Sequence, residues 1–492
     1  MYLKHLAFYT LQLKYLGIKN NATENIILNT LSGLMSNLES GNKEFYQTLI
    51  NLKSIIIESV DTYKRICKER NIKPKEVTTN IKLNKNFNIT DLIRLGESEF
   101  SQKLKFLSDE KRNLYEIIFL VLKSICINLV ELKSFDIDDK CAYVEILYLL
   151  NTINYPEISK KILIKKINKA VDIDGLLSEK LYKTRIEHYG NPTEAQVSFS
   201  TNSGKAILVA GTNLQELKKV LDASKGMGID VYTHGEMISA YTYPKLREYK
   251  HLKGQFGKGV ESCLLDFATF PGAILIAKHA LENIEYLYRG RLFTTDNFVP
   301  QGVVRIKNDD YSPLINSALS ARGFKRGKIR ESVSIGCNKS DFESKMSVLI
   351  SNIDNYKNII ILGTEAYSSE QKKYYDSVLK FAGSDTVIIS LAREFKGKNV
   401  INFNTNDFNM IYEIFSVLKD TIKDYGINLI LILAKCDKHT ISNVINLHRM
   451  GVKNIFLSRC TPVMLNPALT KTLKDLYGIT PTTTPDSDIK NF

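Results

Sequence analysis

A chain of 492 residues with 44% hydrophobic content can bury roughly two to four domain cores. The formal net charge of +14 is spread along the whole chain, with no basic stripe interleaved with aromatics, so nucleic acid is not an expected partner. The seven cysteines are irregularly spaced without a CxxC pair and read as reduced, mostly buried thiols of a cytoplasmic protein, which excludes a disulfide framework.

The opening stretch, MYLKHLAFYTLQLKYLGIKN, is amphipathic, with Lys4 and Lys14 interrupting its apolar run, unlike a secretory leader. Leu6, Tyr9, Leu13 and Leu16 share one helical face, and Gly17 is a stop signal. Helical periodicity continues over 26–60, 91–107, 110–133, 139–154 and 156–188. The longest apolar segment, YEIIFLVLKSICINLV (115–130), is broken by Lys123 and falls short of the ~20 residues of a membrane span, so no membrane association is expected. KKILIKKINK (160–169) reads as a solvated helix face. EHYGNPTEAQ (187–196) is a candidate linker.

The pattern then changes. KAILVAG (205–211), a helix with Asn213 at its cap and Glu216 closing a capping box, and the strand IDVYTHG form a βαβ unit. Further strands are expected at 272–278, 291–295 and 303–306. From 355 on, strands at 358–363, 386–392, 428–434 and 454–458 alternate with helices at 369–383, 406–424 and 438–450. The expected architecture is a multidomain α plus α/β chain: a helical-bundle domain over 1–200, then two Rossmann-like α/β domains with mainly parallel sheets, at 201–354 and 355–492.

Open parallel sheets bind ligands beyond the carboxyl ends of their strands. That places His234 and Glu236, Thr364 and Glu365, Arg393 and Glu394, Cys436, Asp437 and His439, and Arg459 and Cys460 at candidate positions. No GxGxxG follows a strand, and there is no GxxxxGK[ST] or GxSxG motif, so nucleotide-loop and hydrolase-elbow chemistry finds no support.

The block GKAILVAGTNLQELKKVLDASKGMGIDVYTHGEMISAYTYPKLREYKHLKGQFG (204–257) resembles the hybrid-cluster (prismane) protein family of hydroxylamine reductases, distantly related to nickel carbon monoxide dehydrogenases. DFATFPGAILIA, GVKNIFLSRCTPVMLNPAL and YGITPTTTPDSDIK extend the likeness, as do GNPTEAQV and LAFYTLQLKYLGIKN. The resemblance implies a cubane held by cysteines near the N-terminus. It also implies a hybrid iron–sulfur–oxygen cluster ligated by one histidine, two glutamates and four cysteines, with a lysine nearby. Carried over residue by residue, the histidine falls on His234 and the glutamates on Asp266 and Asp437. The cysteines fall on Ala280, Thr364, Arg393 and Thr405, and the lysine on His439. The N-terminal cysteine module has no counterpart, and the first cysteine is Cys67.

Thiolates are the ligands such clusters need. Threonine hydroxyls stay protonated, and an arginine repels iron. Neither a cubane nor a hybrid cluster is therefore expected. Arg393 is expected to pair with Asp266, Asp437 or Glu365. Cys436 and Cys460 are too few to rescue a cubane. A single Fe, Mn or Zn held by His234, Asp266, Asp437 and His439, with His279 as an extra ligand, is the sharper alternative. The plainer expectation for His234 is a strand-end imidazole bonded to backbone or to Glu236, with Glu236 capping the next helix. The function expected is that of a cluster-free relative kept for binding, assembly with itself or another subunit, or regulation. Reduction of hydroxylamine or nitric oxide at a rebuilt metal site is the alternative.

Overall fold

The structure, a computed structural model, describes residues 2–34, 42–77, 94, 107–257, 263–280, 285–363, 369–391, 394–405, 407–434, 438–458 and 466–490. It divides into two compact units, Met1–Leu177 with Asp296–Gln301, and Ser178–Thr295 with Gly302–Phe492.

The first unit is helical. Helix Tyr2–Tyr15 ends at Gly17, which takes φ +79° while the Ile18 N–H bonds the Leu13 carbonyl at 2.9 Å. The single helix expected over 26–60 is two helices, Asn21–Gly33 and Asn42–Glu69. Gly33, the last residue of the first helix, has low helix propensity. Asn20 sets the earlier start by accepting the Thr23 N–H at 3.0 Å. Of the helix expected over 91–107, only residues 94 and 107 are described. The apolar segment with Lys123 is longer than its sequence suggested: helix Asp109–Lys133 has 25 residues and is long and apolar enough to cross a membrane. Its most apolar window is 72% buried within the protein, however, and Leu114, Ile117, Ile118, Val121, Ile125 and Leu129 are wholly covered, so it is a core helix. Helix Lys160–Tyr189 turns Leu163, Ile167, Ala170 and Val171 fully inward and its lysines outward or to the margin.

The second unit holds fourteen strands among the described residues. They are β1 (Ala195–Ser198), β2 (Lys205–Ala210), β3 (Ile229–His234), β4 (Leu252–Gln255), β5 (Ala273–Ile276), β6 (Leu292–Thr294) and β7 (Val304–Arg305), then β8 (Ser332–Ile335), β9 (Asn358–Leu362), β10 (Thr386–Ser390), β11 (Val400–Asn402), β12 (Asn428–Leu433), β13 (Asn454–Leu457) and β14 (Ile479–Pro481). Two six-stranded parallel sheets result, in the orders β4-β3-β2-β5-β6-β7 and β11-β10-β9-β12-β13-β14. Each starts at its centre, winds outward, then crosses back: the doubly wound arrangement, with switch points between β2 and β5 and between β9 and β12. The central strands are buried runs of Ile, Leu and Val, and periodicity found them. It missed the edge strands β4, β11 and β14, which are short and carry few large apolar side chains. The stretch read as a linker, 187–196, runs from the end of helix Lys160–Tyr189 into the first two residues of β1, which pairs antiparallel with β8.

Candidate functional site

β3 delivers His234 to the carboxyl edge of the first sheet, 4% exposed. Gly235 follows with φ +61°, which turns the chain at once into a 3-10 segment, Gly235–Thr242. Buried Gln255, from neighbouring β4, fixes this corner. Its amide donates to the Gly235 carbonyl at 3.0 Å, and its carbonyl accepts the Thr233 hydroxyl at 2.5 Å. The imidazole packs edge-on against Phe267, with centroids 4.8 Å apart. Its Nε2 lies 3.1 Å from Asp266 Oδ2. The expected partners, backbone or Glu236, are thus replaced by Asp266, and Glu236 lies inside the 3-10 segment without capping a helix.

Two residues hold Asp266 in place. Gly257 has φ +83°, and a Cβ there would sit 2.1 Å from Asp266 Oδ2, so the carboxylate occupies the space that only glycine leaves. Arg291 caps helix Cys263–Thr269, on which Asp266 rides. Its guanidinium donates to the carbonyls of Phe267 at 3.1 Å, Ala268 at 3.2 Å and Gly272 at 3.2 Å, and also to that of Phe270. Burial lowers the Arg291 pKa from its usual value. Nothing in the sequence pattern marked Arg291, because a carbonyl cage is assembled only by the fold.

At the switch point between β2 and β5, Gly211 takes φ +118°, and a Cβ on it would meet the Ala277 and Ala280 methyls at 2.9 and 3.0 Å. Ala280 therefore packs against the glycine of the neighbouring strand end. Next to it, buried His279 has φ +68°, a costly conformation for a residue with a Cβ. Burial pushes the His279 pKa well below its usual value, and the nearby positive charges of Lys278, Lys438 and His439 push the same way. Lys438 donates its ammonium to the His279 carbonyl. Lys438 and His439 enter helix Thr440–Met450 after β12, so this contact joins the carboxyl edges of the two sheets. Glu216 was expected to close a capping box. Its carboxylate reaches the Lys278 N–H at 3.0 Å and the Thr295 hydroxyl at 2.5 Å, while Asn213 caps the helix by accepting from Gln215 and Glu216.

Thr405 is buried beyond β11. Its N–H bonds the Leu391 carbonyl at 3.1 Å, and its hydroxyl accepts the Asp407 N–H at 3.2 Å, a local turn. At the second switch point, between β9 and β12, the buried Tyr375 hydroxyl accepts the Ala434 N–H at 3.0 Å and faces the Gly363 carbonyl at 3.1 Å. Gln371 donates to the Ala434 carbonyl at 2.7 Å. Thr364, Glu365, Arg393, Cys436, Asp437, Arg459 and Cys460 lie outside the described residues, and with them the ion pair expected of Arg393. Of the four-residue metal set, the structure pairs His234 with Asp266 and puts His439 near His279. No group of three or more His, Cys, Asp or Glu suited to a metal occurs among the described residues.

A sequence profile described as the Prismane/CO dehydrogenase family matches residues 148–490. The chain belongs to the Prismane/CO dehydrogenase family. A hydroxylamine reductase of Thermodesulfovibrio yellowstonii is 27% identical over 460 residues, which cover 90% of this chain and 85% of that protein. A hydroxylamine reductase of Mannheimia succiniciproducens is 30% identical over 322 residues, 61% of this chain and 58% of that protein. A solved structure of alpha subunits of acetyl-CoA synthase/carbon monoxide dehydrogenase aligns over 99% of this chain and 81% of that one, with 10% identity and a TM-score of 0.47. In this prismane-family chain, Ala280 presents a methyl to Gly211, and Thr405 a turn-forming hydroxyl.

Proposed function

We propose that this prismane-family protein has lost its iron–sulfur clusters and reductase activity and keeps the frame for a binding, assembly or regulatory role. The observation that supports this reading best is the direct contact of His234 Nε2 with Asp266 Oδ2 at 3.1 Å, two positions where the family likeness puts cluster ligands. A proton bridging them satisfies both groups without iron. The donor chemistry agrees. Ala280 offers no lone pair and closes on Gly211, and the Thr405 hydroxyl is engaged in its own turn. In sequence, Thr364 and Arg393 complete a set with no thiolate among the four positions. Such a set does not fit a cluster held by soft anionic sulfur.

The test is anaerobic purification followed by assay of iron and acid-labile sulfide. The expected product is colourless, with neither in stoichiometric amount. A brown protein with both iron and sulfide overturns the reading.

The second reading is an oxidoreductase built on one metal ion beside His234. The separation of 3.1 Å favours it to this extent: two ligands each about 2.1 Å from one cation lie about as far apart. Stoichiometric Fe, Mn or Zn that disappears in His234→Asn would establish it. Retention of metal in that variant, or absence of metal in the parent, refutes it.

A further inference from the structure

The amino ends of β2, β3 and β4 frame a cleft of about 970 Å³. It lies at the end of β3 opposite His234, roughly 17 Å away at the usual rise of about 3.3 Å per residue. Six lysines line it: Lys205, Lys218, Lys225, Lys245, Lys250 and Lys253. The carboxylates on its wall are Asp230 and Glu248, and Asp222 pairs with Lys218 at 2.6 Å. The carboxyl end of helix Leu214–Ser224 adds the equivalent of about half a negative charge. These anionic groups together leave roughly two to three positive charges without compensation in a concave site, where the field of like charges is focused.

Several of the groups are held in place. Lys205 donates to the Ala321 carbonyl at 2.5 Å and Lys245 to the Glu187 carbonyl at 3.4 Å, contacts that position the ammoniums and leave their charge. His251 is fixed by the Leu221 carbonyl and the Ser224 hydroxyl, each at 3.1 Å from Nε2. Between Ser224 and Ile229, Gly226 and Gly228 take φ +75° and +68°, and nothing lies within 4 Å of where their Cβ atoms would be. The rim there is bare backbone that a ligand can approach closely.

We infer that this cleft binds a small polyanion carrying two or more phosphate groups. Its volume is that of a small-ligand pocket, about 300–1,000 Å³, and a nucleic-acid duplex would need an extended groove. The site is independent of whether the protein holds a cluster.

Titration calorimetry of the full chain with inorganic tripolyphosphate and with ATP, at about 50 mM and about 200 mM salt, tests it. Saturable binding that weakens with salt is expected, and about tenfold or greater loss in the triple variant K225E/K250E/K253E, whose circular dichroism and melting stay those of the parent. Equal binding of both probes identifies the phosphates as the recognised group, and preference for ATP adds the nucleoside; either supports the site. No binding of either probe overturns it. So does binding unchanged in the triple variant, or tighter binding of a short DNA or RNA duplex than of tripolyphosphate. If the triple variant is misfolded, K250E/K253E carries the same test with the same criteria.

Discussion

Gly257→Ala measures how tightly the His234–Asp266 pair is built in. The new Cβ would stand 2.1 Å from Asp266 Oδ2 and 2.3 Å from its Cγ, so the carboxylate must leave its place. The backbone at φ +83° adds about 1–2 kcal/mol for any L side chain. Displacing the carboxylate leaves a buried imidazole without its partner, worth about 1–3 kcal/mol. The total is about 2–5 kcal/mol, concentrated near β3, β4 and helix Cys263–Thr269. Asp266→Ala removes the obstacle, so in that background Gly257→Ala should cost only the backbone strain, about 1–2 kcal/mol. Hydrogen exchange of peptides spanning residues 252–276 reads this local stability without assuming that the whole chain unfolds in one step. If Gly257→Ala costs the same in both backgrounds, the carboxylate does not rest on Gly257, and the geometry assigned to the pair is wrong.

Arg291→Lys keeps the charge but loses the planar fork that serves four carbonyls. It should loosen helix Cys263–Thr269 by about 2–3 kcal/mol and speed proteolysis there; unchanged protection would show that the cage is dispensable. Burial raises the Glu413 pKa and the Asp407 charge raises it further, against a smaller opposing hydrogen bond from Tyr182. A carboxyl whose folded pKa is raised contributes stability fully below its unfolded pKa, and that contribution is lost as pH rises through the folded value. Glu413→Gln should therefore melt like the parent near about pH 4 and higher than the parent near about pH 8. A difference that does not change with pH would refute the assignment.

The strands that build the two sheets were legible because burial on both faces leaves continuous apolar runs such as NIIIL and NLILIL. The edge strands were not, since β4 reads LKGQ and β11 reads VIN, short sequences without a continuous run of large apolar side chains. His234 was legible as a strand-end residue, and the family likeness brought Asp266 beside it. What positions them was hidden. Arg291 caps a helix that precedes it in the chain, Gly257 makes room for a carboxylate, and Gln255 fixes a corner of the neighbouring strand. Each is a tertiary contact with no periodic signature. The Glu216 capping box failed for a related reason: the local pattern was present, but the nearby ends of β5 and β6 offered the carboxylate better donors than its own helix.

These supports also bear on the proposed cluster-free reading, in which the frame would stand without an inorganic core. A cluster crosslinks the loops that carry its ligands, so removing it should cost stability where those loops meet. Around the first switch point protein groups tie the loops: Glu216 binds the ends of β5 and β6, Gln255 binds the turn after β3, and Arg291 binds the helix of Asp266. Lys438 then reaches from the second sheet to the His279 carbonyl of the first. His279 is in a strained conformation, and burial among positive charges pushes its pKa well below the usual value. Under the cluster-free reading, Lys438→Met should therefore loosen the carboxyl edge of the first sheet. Exchange at residues 273–280 would rise while residues 205–210 stay protected. Equal exchange in parent and variant would mean that the lysine is not a tie, and the sheet edge must then be held by something other than these residues.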